Sequence, residues 1–455
     1  MNTLPPARLK TQADVSAEAC ADVLWQSLGL GRPADRALAA LLREQRQLGS
    51  RDRRLISETV FSILRWWGWI GGLAPAGFRA AVAERLAGVG SEEPPHVAPV
   101  AWAATLGAAW VLEGGDVPPA AQLWLGTALP HARAVTAADP GMTLDQRAAL
   151  LAPFAPSGQA APSLLRLLPE WAFTEVDCPR PAAELLEWLQ RRPPVWLRVQ
   201  TADVAALVGE LRDAGVPVQP HPLLTRALHT LPPRVNLRTL EAFRAGRIEV
   251  QDLASQLIGH VCAPRPGQRW WDACAGAGGK TLHLADLMAG KGSVTASDIR
   301  LHKLDDLRLR ARRGGFPNIR VREWKGKALP EHKGNFEGVL VDAPCSCSGT
   351  WRRNPDGRWT LRQAELAEFA ELQGRLLANA SGAVRPGGVL VYATCSVFRR
   401  ENRAVIEQFL AQAPAFRLEP FNSPLTGAPT DGTLQIWPWD GDCDAMFTAR
   451  LRRQG

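Results

Sequence analysis

The sequence predicts an α/β fold with a parallel, doubly wound sheet, preceded along the chain by an all-helical domain. Four short apolar runs predict the sheet: residues 269–273, 293–298, 338–342 and 388–394 have the length and composition of buried strands, and helical stretches separate them. Apolar residues spaced three and four apart over about 13–135 predict the helical domain. In a sheet of this kind, ligands bind at the carboxyl ends of the strands.

Composition indicates a globular protein with two or three domains. Of its 455 residues, 46% are hydrophobic and 22% charged, which excludes wholesale disorder, and the net charge of +8 suits a polyanionic partner. The uncharged run at residues 97–112 is interrupted by Pro99 and Gly107 and predicts no membrane span. Eight sparse cysteines and an N-terminus without a secretory signal favour a reducing, cytoplasmic location.

Shifts in composition along the chain predict its domain organisation. Within the middle of the chain, a candidate strand from Val195 to Gln200 is followed by a helical stretch that ends near Gly215. We expect four segments: a helical domain over 1–140, a linker rich in Ala, Pro and Gly over 141–165, a small α/β subdomain over 166–255, and the larger α/β domain over 256–455.

A glycine-rich turn follows the first predicted strand of the larger domain and opens a helix. It reads Asp-Ala-Cys-Ala-Gly-Ala-Gly-Gly-Lys-Thr over 272–281. Glycines at 276, 278 and 279 let a ligand approach the backbone closely, and the free amides of the helix N-terminus face that ligand. The turn therefore predicts a cofactor site.

Three classes of cofactor compete for this turn. A phosphate-binding loop requires glycine where Cys274 stands, and a dinucleotide site requires a third glycine where Thr281 stands. The third class, an S-adenosylmethionine site, requires an acid at the end of the second strand to bind the ribose hydroxyls. Asp298 is that acid; it is also a candidate helix N-cap, and the two roles are compatible.

Two cysteines follow neighbouring strands of the predicted sheet. Cys345 comes after the third strand, in Asp-Ala-Pro-Cys, and Cys395 comes after the fourth, in Thr-Cys-Ser. Because the carboxyl ends of parallel strands meet at one edge, we expect both thiols in the crevice of the cofactor turn. Most cysteines are small buried hydrophobes rather than nucleophiles. We favour that interpretation for Cys20, Cys178, Cys262 and Cys443.

Cys345 and Cys395, together with Asp342, supply the groups that methylation of a pyrimidine carbon requires. A thiolate that adds to ring carbon 6 of cytosine makes carbon 5 nucleophilic. The reaction also requires an acid near ring nitrogen 3 and a base that takes the carbon 5 proton afterwards. Cys345 and Cys347 have no second Cys or His pair at zinc-finger spacing, so we expect no metal.

These residues resemble those of a known family, the RNA cytosine carbon-5 methyltransferases, in particular the bacterial Sun/Fmu type that acts on 16S ribosomal RNA. The turn at 272–281, Asp-Ala-Pro-Cys-Ser at 342–346 and Ala-Thr-Cys-Ser at 393–396 carry the resemblance. It is strong over about 190–455 and weaker over about 10–135. Further matches are Arg-Arg-Asn-Pro-Asp at 352–356, Gln251-Asp252, Ser255-Gln256 and the ending over 444–450.

The resemblance implies a Rossmann-like class I methyltransferase domain and an N-terminal helical RNA-binding domain similar to the antitermination factor NusB. It implies that Cys395 attacks the base, and that Cys345 assists proton removal and release of the enzyme. It also implies that Asp342 holds and protonates the base edge and that Asp298 binds the ribose. The implied S-adenosylmethionine site consists of Cys274, Ala275, Gly276, Ala277, Gly278, Gly279, Lys280, Asp298, Glu323 and Asp342.

The sequence departs from the family pattern at three positions. The family has proline where Ala277 stands, and alanine lacks the fixed geometry, which we expect to loosen cofactor binding. The family also has an aspartate near the adenine, for which Glu323 is the candidate by spacing, with Trp324 as an alternative that covers the ring. Cys347 adds a thiol to which we assign no role.

Basic residues concentrate between Arg300 and Lys327, where ten Lys and Arg face three acids. A basic helix is often only a solvated face, but beside a pyrimidine-modifying site a phosphate-contact surface is the better interpretation. The target base must leave its stack to reach Cys395. We expect RNA contacts from Arg300, Lys303, Arg312, Arg313, and, at the entrance, Arg352, Arg353 and Arg358.

The sequence thus predicts S-adenosylmethionine-dependent methylation of cytosine carbon 5 in RNA, with ribosomal RNA as the partner. We expect a monomer that binds neither a metal nor a membrane. Two alternatives stay open: transfer RNA as the substrate, and a non-catalytic RNA-binding ribosome-assembly factor, which the departures at Ala277 and Glu323 favour. A DNA cytosine methyltransferase is disfavoured, because that group typically uses a Pro-Cys nucleophile and lacks the Thr-Cys-Ser sequence.

Overall fold

The chain divides into two compact units. The computed structural model describes residues 5–130, 136–155, 160–231, 235–327 and 333–455. The helical unit comprises residues 1–174, 178–191 and 351–361, and the sheet unit comprises residues 175–177, 192–350 and 362–455. Part of the predicted linker, residues 156–159, lies outside the described residues.

Apolar periodicity accounts for the helices of the helical unit. They are α1 (Pro6–Leu24), α2 (Ala34–Glu44), α3 (Ser50–Ile70), α4 (Ala76–Leu86), α5 (Ala103–Glu113), α6 (Pro119–Ala128), α7 (Leu144–Ala149), α8 (Ala172–Glu175, whose last residue belongs to the sheet unit) and α9 (Ala182–Gln190). In α3, for example, Ile56, Val60 and Ile63 recur at intervals of four and three residues, and all three are buried. None of the helices in the described ranges is long and apolar enough to cross a bilayer.

Tryptophan rings fill the core of the helical unit. Trp25, Trp66 and Trp102 are all buried there. The Phe78 ring contacts Trp102 edge to face, with centroids 4.8 Å apart, and Trp25 in the same way at 6.2 Å. Edge-to-face packing of this kind stabilises a core beyond the area it buries. Several of the 17 tryptophans of the chain therefore serve packing in this unit.

The sheet unit begins with a small antiparallel sheet. Its elements are β1 (Val195–Val199), α10 (Val204–Asp213), β2 (Gln219–Pro220), β3 (Ala227–Thr230), α11 (Glu241–Arg244) and β4 (Ile248–Val250). The four strands pair in the order β2-β3-β1-β4. Leu197 and Val199 of β1 pack with Leu207 and Leu211 of α10 in one apolar cluster. The helix therefore covers one face of the small sheet.

A larger sheet follows and contains the parallel strands that the sequence predicted. Its elements are α12 (Leu253–Cys262), β5 (Arg269–Asp272), α13 (Gly279–Leu287), β6 (Ser293–Asp298), α14 (Leu301–Arg313), β7 (Ile319–Glu323), β8 (Phe336–Asp342), α15 (Gly357–Thr360, which belongs to the helical unit), α16 (Glu365–Ser381), β9 (Val384–Thr394), α17 (Arg403–Gln412), β10 (Phe416–Leu418), β11 (Thr433–Ile436) and β12 (Met446–Arg453).

The order of the larger sheet is β10-β12-β9-β8-β5-β6-β7, and β11 pairs with β12. Strands β5 to β9 are parallel, and β12 runs antiparallel to β9. The predicted Rossmann-like α/β fold is therefore confirmed. The direction of winding reverses at β5, which has β6 on one side and β8 on the other, so that a crevice opens at the carboxyl end of β5.

Both faces of the larger sheet are covered by apolar side chains. In β8, Leu340 belongs to the cluster that includes Leu257 of α12 and Leu284 of α13. Its neighbours Val339 and Val341 belong to the opposite cluster, with residues of α16 and α17. Alternation along a strand sends successive side chains to opposite faces, and burial of both faces explains the nearly continuous apolar runs of the parallel strands.

Candidate active site

The glycine turn bends the chain sharply between β5 and α13. Gly276 and Gly278 have φ angles of +53° and +88°, which favour glycine. A Cβ atom added at Gly278 would lie 2.5 Å from Cγ of Leu307, so the turn also has no space for a side chain there. Ala277 replaces the proline of the family pattern, and its carbonyl accepts a hydrogen bond from Arg310 at 2.7 Å. This contact fixes the turn from outside.

Asp272, at the end of β5, is buried beneath this turn. One carboxylate oxygen accepts a hydrogen bond from the Thr281 hydroxyl at 2.6 Å. The other oxygen, Oδ1, is buried and has no hydrogen-bond partner among the described residues. Burial raises the pKa of Asp272 to about 7. The strand end therefore contains a carboxyl group that ionises with difficulty.

Asp298, at the end of β6, connects the glycine turn to the start of α14. Its carboxylate accepts hydrogen bonds from the backbone amides of Gly276 at 2.9 Å and Arg300 at 2.8 Å, and from the Arg300 guanidinium. Burial opposes its ionisation, but the hydrogen bonds from Arg300 lower the pKa of Asp298 below its ordinary value. Asp298 is thus an anion at neutral pH, held beside the glycine turn.

A pocket of about 240 Å³ lies next to Asp298 and the glycine turn. Its lining includes Cys274, Asp298, Arg300 and Trp324. Of the two adenine candidates, Trp324 is buried and packs edge to face on Trp271, with ring centroids 5.0 Å apart. Glu323 is exposed, forms an ion pair with Lys325 and is not among the lining residues. The pocket therefore combines a carboxylate with an aromatic ring, which suits a nucleoside.

The two catalytic candidates meet at the ends of β8 and β9. The Sγ atoms of Cys345 and Cys395 lie 3.4 Å apart. Cys345 is buried and Cys395 is partly exposed. Cys347 joins them, and the three sulfur atoms all lie within 4.8 Å of one another. The structure thus brings together two cysteines that the sequence analysis paired and a third to which it gave no role.

The protonation of these thiols depends on their mutual contacts. A hydrogen bond from Cys345 favours the Cys395 thiolate, but the contact with Cys347 and burial outweigh it, so the pKa of Cys395 lies well above its ordinary value. Hydrogen bonds with the neighbouring thiols, together with burial, also raise the pKa of Cys345. The same thiol contacts lower the pKa of Cys347. The cluster therefore tends to hold its negative charge on Cys347.

Lys280 connects the glycine turn to the end of β8. Its ammonium group donates a hydrogen bond to the Asp342 carboxylate at 2.7 Å. Burial opposes the charge of Lys280, but Asp342, and to a smaller extent Cys395, raise the pKa of this lysine above its ordinary value. The sequence analysis placed Lys280 only in the implied cofactor site, because no local pattern links residues 62 positions apart.

Glu401 is a buried acid that the sequence analysis missed. Its carboxylate accepts hydrogen bonds from the Ser346 amide at 2.8 Å and the Ser346 hydroxyl, and from the Ser396 hydroxyl at 2.5 Å. Gln373 donates another at 3.0 Å. These serines directly follow Cys345 and Cys395 in the chain, so Glu401 links the two loops that carry the thiols. The only sequence signal for Glu401 is its position five residues after Ser396, and that spacing is not typical of any known kind of site.

The structure corrects the expectation that Arg352 and Arg358 line an entrance. Both side chains are fully buried in the helical unit. Arg358 donates hydrogen bonds to the backbone carbonyls of Arg65, Leu189 and Trp351. Arg352 donates to the carbonyl of residue 191. A guanidinium that is enclosed and bonded to carbonyls cannot reach an RNA phosphate, so these two arginines have a structural role.

The remaining basic residues predicted to contact RNA differ in how they are paired or buried within the protein. Arg313 forms an ion pair with buried Glu249 and lies over the Phe243 ring at 4.0 Å. Lys303 is 3.8 Å from Asp306, and Arg300 is held by Asp298. Arg312 lies at the end of α14, and Arg353 is half-buried in the helical unit. Contact of these residues with RNA stays a prediction.

The sheet order, the glycine turn, the acid at the end of β6 and the adjoining pocket define a class I S-adenosylmethionine-dependent methyltransferase domain. Residues 260–452 match the family described as 16S rRNA methyltransferase RsmB/F. Over these residues the chain is similar to the RsmB/F methyltransferase family.

The chain is also similar to proteins of known sequence and structure. The chain is 34% identical over 293 residues to ribosomal RNA small subunit methyltransferase B of Salmonella paratyphi A, across 63% of this chain and 66% of that protein. It therefore matches just under two thirds of the length of these curated relatives. The crystal structure of PH0851 superposes with a TM-score of 0.72 at 26% identity, covering 99% of each chain. A methyltransferase homolog from Pyrococcus horikoshii gives a TM-score of 0.52 at 26% identity, covering 60% of this chain and 90% of that one.

Proposed function

We propose that this protein transfers a methyl group from S-adenosylmethionine to carbon 5 of cytosine in RNA, and that its substrate is ribosomal RNA. The observation that carries the proposal is the pair of thiols, Cys345 and Cys395, at 3.4 Å on adjacent strand ends. Methyl transfer to a ring carbon of a pyrimidine is a reaction that requires such a nucleophile. Methylation at an oxygen or an exocyclic nitrogen would not require it.

The residues around the pocket fit the cofactor. The glycine turn lets a ligand approach the backbone, Asp298 offers a carboxylate to ribose hydroxyls, and Trp324 offers an apolar surface to adenine. When bound, S-adenosylmethionine supplies an electrophilic methyl group. In this proposal Asp298 must give up part of its contact with Arg300, because one carboxylate cannot saturate both partners.

The chain's own residues carry the proton and covalent steps. The Cys395 thiolate forms a bond to carbon 6 of cytosine, and the electron pair of the carbon 5–carbon 6 bond moves toward carbon 5 and nitrogen 3. Asp342 acts at nitrogen 3, and the proton that it delivers there comes from the Lys280 ammonium, which donates a hydrogen bond to it at 2.7 Å. After methylation, a base takes the proton from carbon 5, the double bond forms again, and the sulfur leaves carbon 6.

Cys345 is the residue that we assign to the release step. Its contact with Cys395 supports the role, because a group that close to the attacking sulfur also lies close to the carbon 5 proton of a bound base. Its raised pKa implies that it is a thiol in the resting site and must pass its proton on before it acts as a base. Its neighbour Cys347, whose lowered pKa favours the thiolate, is a group near it that can accept that proton.

Methylation of purified RNA tests the proposal. The full chain is incubated with radiolabelled S-adenosylmethionine and either small-subunit ribosomal RNA or transfer RNA, and the product nucleoside is identified by mass spectrometry. We expect 5-methylcytidine in the ribosomal RNA, and we expect Cys395→Ala to lower the rate by at least about a thousandfold. Cys178→Ala, a cysteine of the helical unit, is the matched control and should retain the rate.

The other outcomes decide between the alternatives. Product in transfer RNA alone would assign the protein to that substrate. No methylation of either RNA, with no calorimetric binding of S-adenosylmethionine, would favour a non-catalytic RNA-binding protein. Full activity of Cys395→Ala would refute the covalent mechanism.

A further inference from the structure

The third thiol, Cys347, has a conformation that places it against the catalytic pair. Its φ angle is +57°, a left-handed backbone conformation that is unusual for a residue with a side chain. The turn that follows fixes it, because the amide and the hydroxyl of Thr350 both donate hydrogen bonds to the Cys347 carbonyl at 2.9 Å. The Cys347 thiol contacts the carbonyl of Cys345 at 3.5 Å. A left-handed residue costs free energy, so this arrangement is one that the surrounding structure enforces.

The spacing of the three sulfur atoms suits a metal ion. In a tetrahedral site with zinc–sulfur bonds of about 2.3 Å, sulfur atoms lie roughly 3.8 Å apart. Here all three lie within 4.8 Å of one another, and the closest pair, Cys345 and Cys395, is at 3.4 Å. Small rotations of the side chains therefore bring all three to bonding distance. The sequence analysis excluded a metal because Cys345 and Cys347 lacked a second pair, but the fold brings the third ligand from the end of β9.

Access and charge also favour a cation at this cluster. Cys347 is exposed and Cys395 is partly exposed, so an ion can enter from solvent. Three thiolates around a divalent cation carry a net charge of −1, which the neighbouring ammonium of Lys280 and guanidinium of Arg300 stabilise. Thiolates are the soft ligands that select zinc and its heavier analogue cadmium over magnesium or calcium.

We propose that Cys345, Cys347 and Cys395 form a binding site for a thiophilic divalent cation, with zinc as the natural ion, and that its fourth position is open to water. Binding forms three sulfur–metal bonds, and each of the three groups that is still a thiol breaks its S–H bond and releases its proton to solvent. The binding itself is independent of the proposed function. Its consequence rests on that function: a metal-bound Cys395 cannot attack a base, so zinc inhibits methylation reversibly.

Titration with cadmium alone tests the site. The full chain, reduced and freed of metal, is titrated with Cd²⁺ while the ultraviolet sulfur-to-cadmium charge-transfer absorption is recorded, and Zn²⁺ is then measured by competition with a chelating dye. We expect one ion per chain, with the absorption of three thiolates. Cys347→Ser should weaken the affinity by more than about a hundredfold, beyond what loss of an outer-shell partner costs. Cys178→Ser is the matched control and should leave the affinity unchanged.

Two results would overturn the proposal. One is equal cadmium affinity in Cys347→Ser and the unaltered chain. The other is an absence of the charge-transfer band in a chain whose thiols are shown to be reduced. Because Cys347 is exposed, its serine variant should keep the melting temperature of the unaltered metal-free chain, which a thermal scan verifies.

A methylation assay with and without Zn²⁺ separates this proposal from the proposed function. Inhibition by Zn²⁺ that a chelator reverses would support both the metal site and the proposed function. Zinc binding without inhibition of an active enzyme would keep the metal site and refute Cys395 as the nucleophile. Methylation by a chain that binds no zinc would refute the metal site alone.

Discussion

The Sγ atoms of Cys345 and Cys395 lie 3.4 Å apart although 50 positions separate them in the chain. Their proximity follows from the sheet. Strands β8 and β9 are parallel neighbours with Asp342 beside Ala393, and the amide of Ala343 donates a hydrogen bond to the Ala393 carbonyl at 2.9 Å. Each cysteine comes two or three residues beyond that last pair, at the edge where β5 also ends. The pair is a contact between thiols, since a disulfide would require about 2.05 Å.

The loop geometry around this pair depends on Glu401. Replacement by alanine would remove the acceptor of the Ser346 amide and one acceptor each of the Ser396 hydroxyl and of Gln373. Because each unsatisfied buried donor costs about 1–3 kcal/mol, we expect Glu401→Ala to lower the free energy of unfolding by at least about 2 kcal/mol. Urea denaturation measures this free energy of unfolding. Glu407→Ala removes only an exposed ion pair with Arg399, at 3.8 Å, and should change stability by less than about 0.5 kcal/mol.

A glutamine at position 401 tests whether Glu401 positions the cysteine loops, as distinct from stabilising the fold. Glu401→Gln keeps the size and one acceptor oxygen, so it should fold. If Glu401 orients the cysteine loops, the variant lowers kcat while KM for RNA stays the same. Equal kcat in the variant and the unaltered enzyme would show that Glu401 serves stability only.

Stability should fall with rising pH because of Asp272. Its ordinary pKa is 3.8, and burial raises the pKa in the folded chain to about 7. Between these values the folded chain binds more protons than the unfolded chain, so the contribution of Asp272 to stability is lost as the pH rises from about 4 to about 7. We expect urea midpoints at pH 5 and pH 8 to differ less in Asp272→Asn than in the unaltered chain. An identical pH dependence in both would contradict this account.

The pH dependence of methylation should shift when Cys347 is removed. The contact with Cys347 and burial raise the pKa of Cys395, so the thiolate fraction and the rate should increase with pH above neutrality. Cys347→Ala removes one of these causes, and we expect the rising limb of kcat/KM to move to lower pH. Profiles of the two enzymes on the same RNA measure the shift. A limb that moves to higher pH would mean that Cys347 instead favours the Cys395 thiolate.

Periodicity and motif spacing predicted the parts of this structure that depend on local sequence. The runs at 293–298 and 338–342 lie in strands β6 and β8, because a buried parallel strand is apolar on both faces. The meeting of Cys345 and Cys395 was also predictable, because parallel strands place their carboxyl ends at one edge, whatever the length of chain between them.

Contacts between segments that are far apart in the chain could not be predicted from periodicity or motif spacing. Arg358 counts as a charge in the sequence, but it is buried because the 351–361 segment packs in the helical unit, against carbonyls far away in the chain. Arg313 contributes to a basic segment whose charge Glu249, on another element, partly cancels. Glu401 has no motif, since its role depends on two loops that only the folded sheet brings together.

The central claim is that Cys395 bonds to the RNA base and that Cys345 is needed to release it. The most direct measurement is electrophoresis in denaturant of Cys345→Ala after incubation with ribosomal RNA and S-adenosylmethionine. We predict a protein–RNA band that survives denaturation, that contains the methyl label, and that is absent when Cys395→Ala is added to the same chain. A folded Cys345→Ala that binds the RNA but forms no such band, or a band that persists in the double variant, would contradict the account.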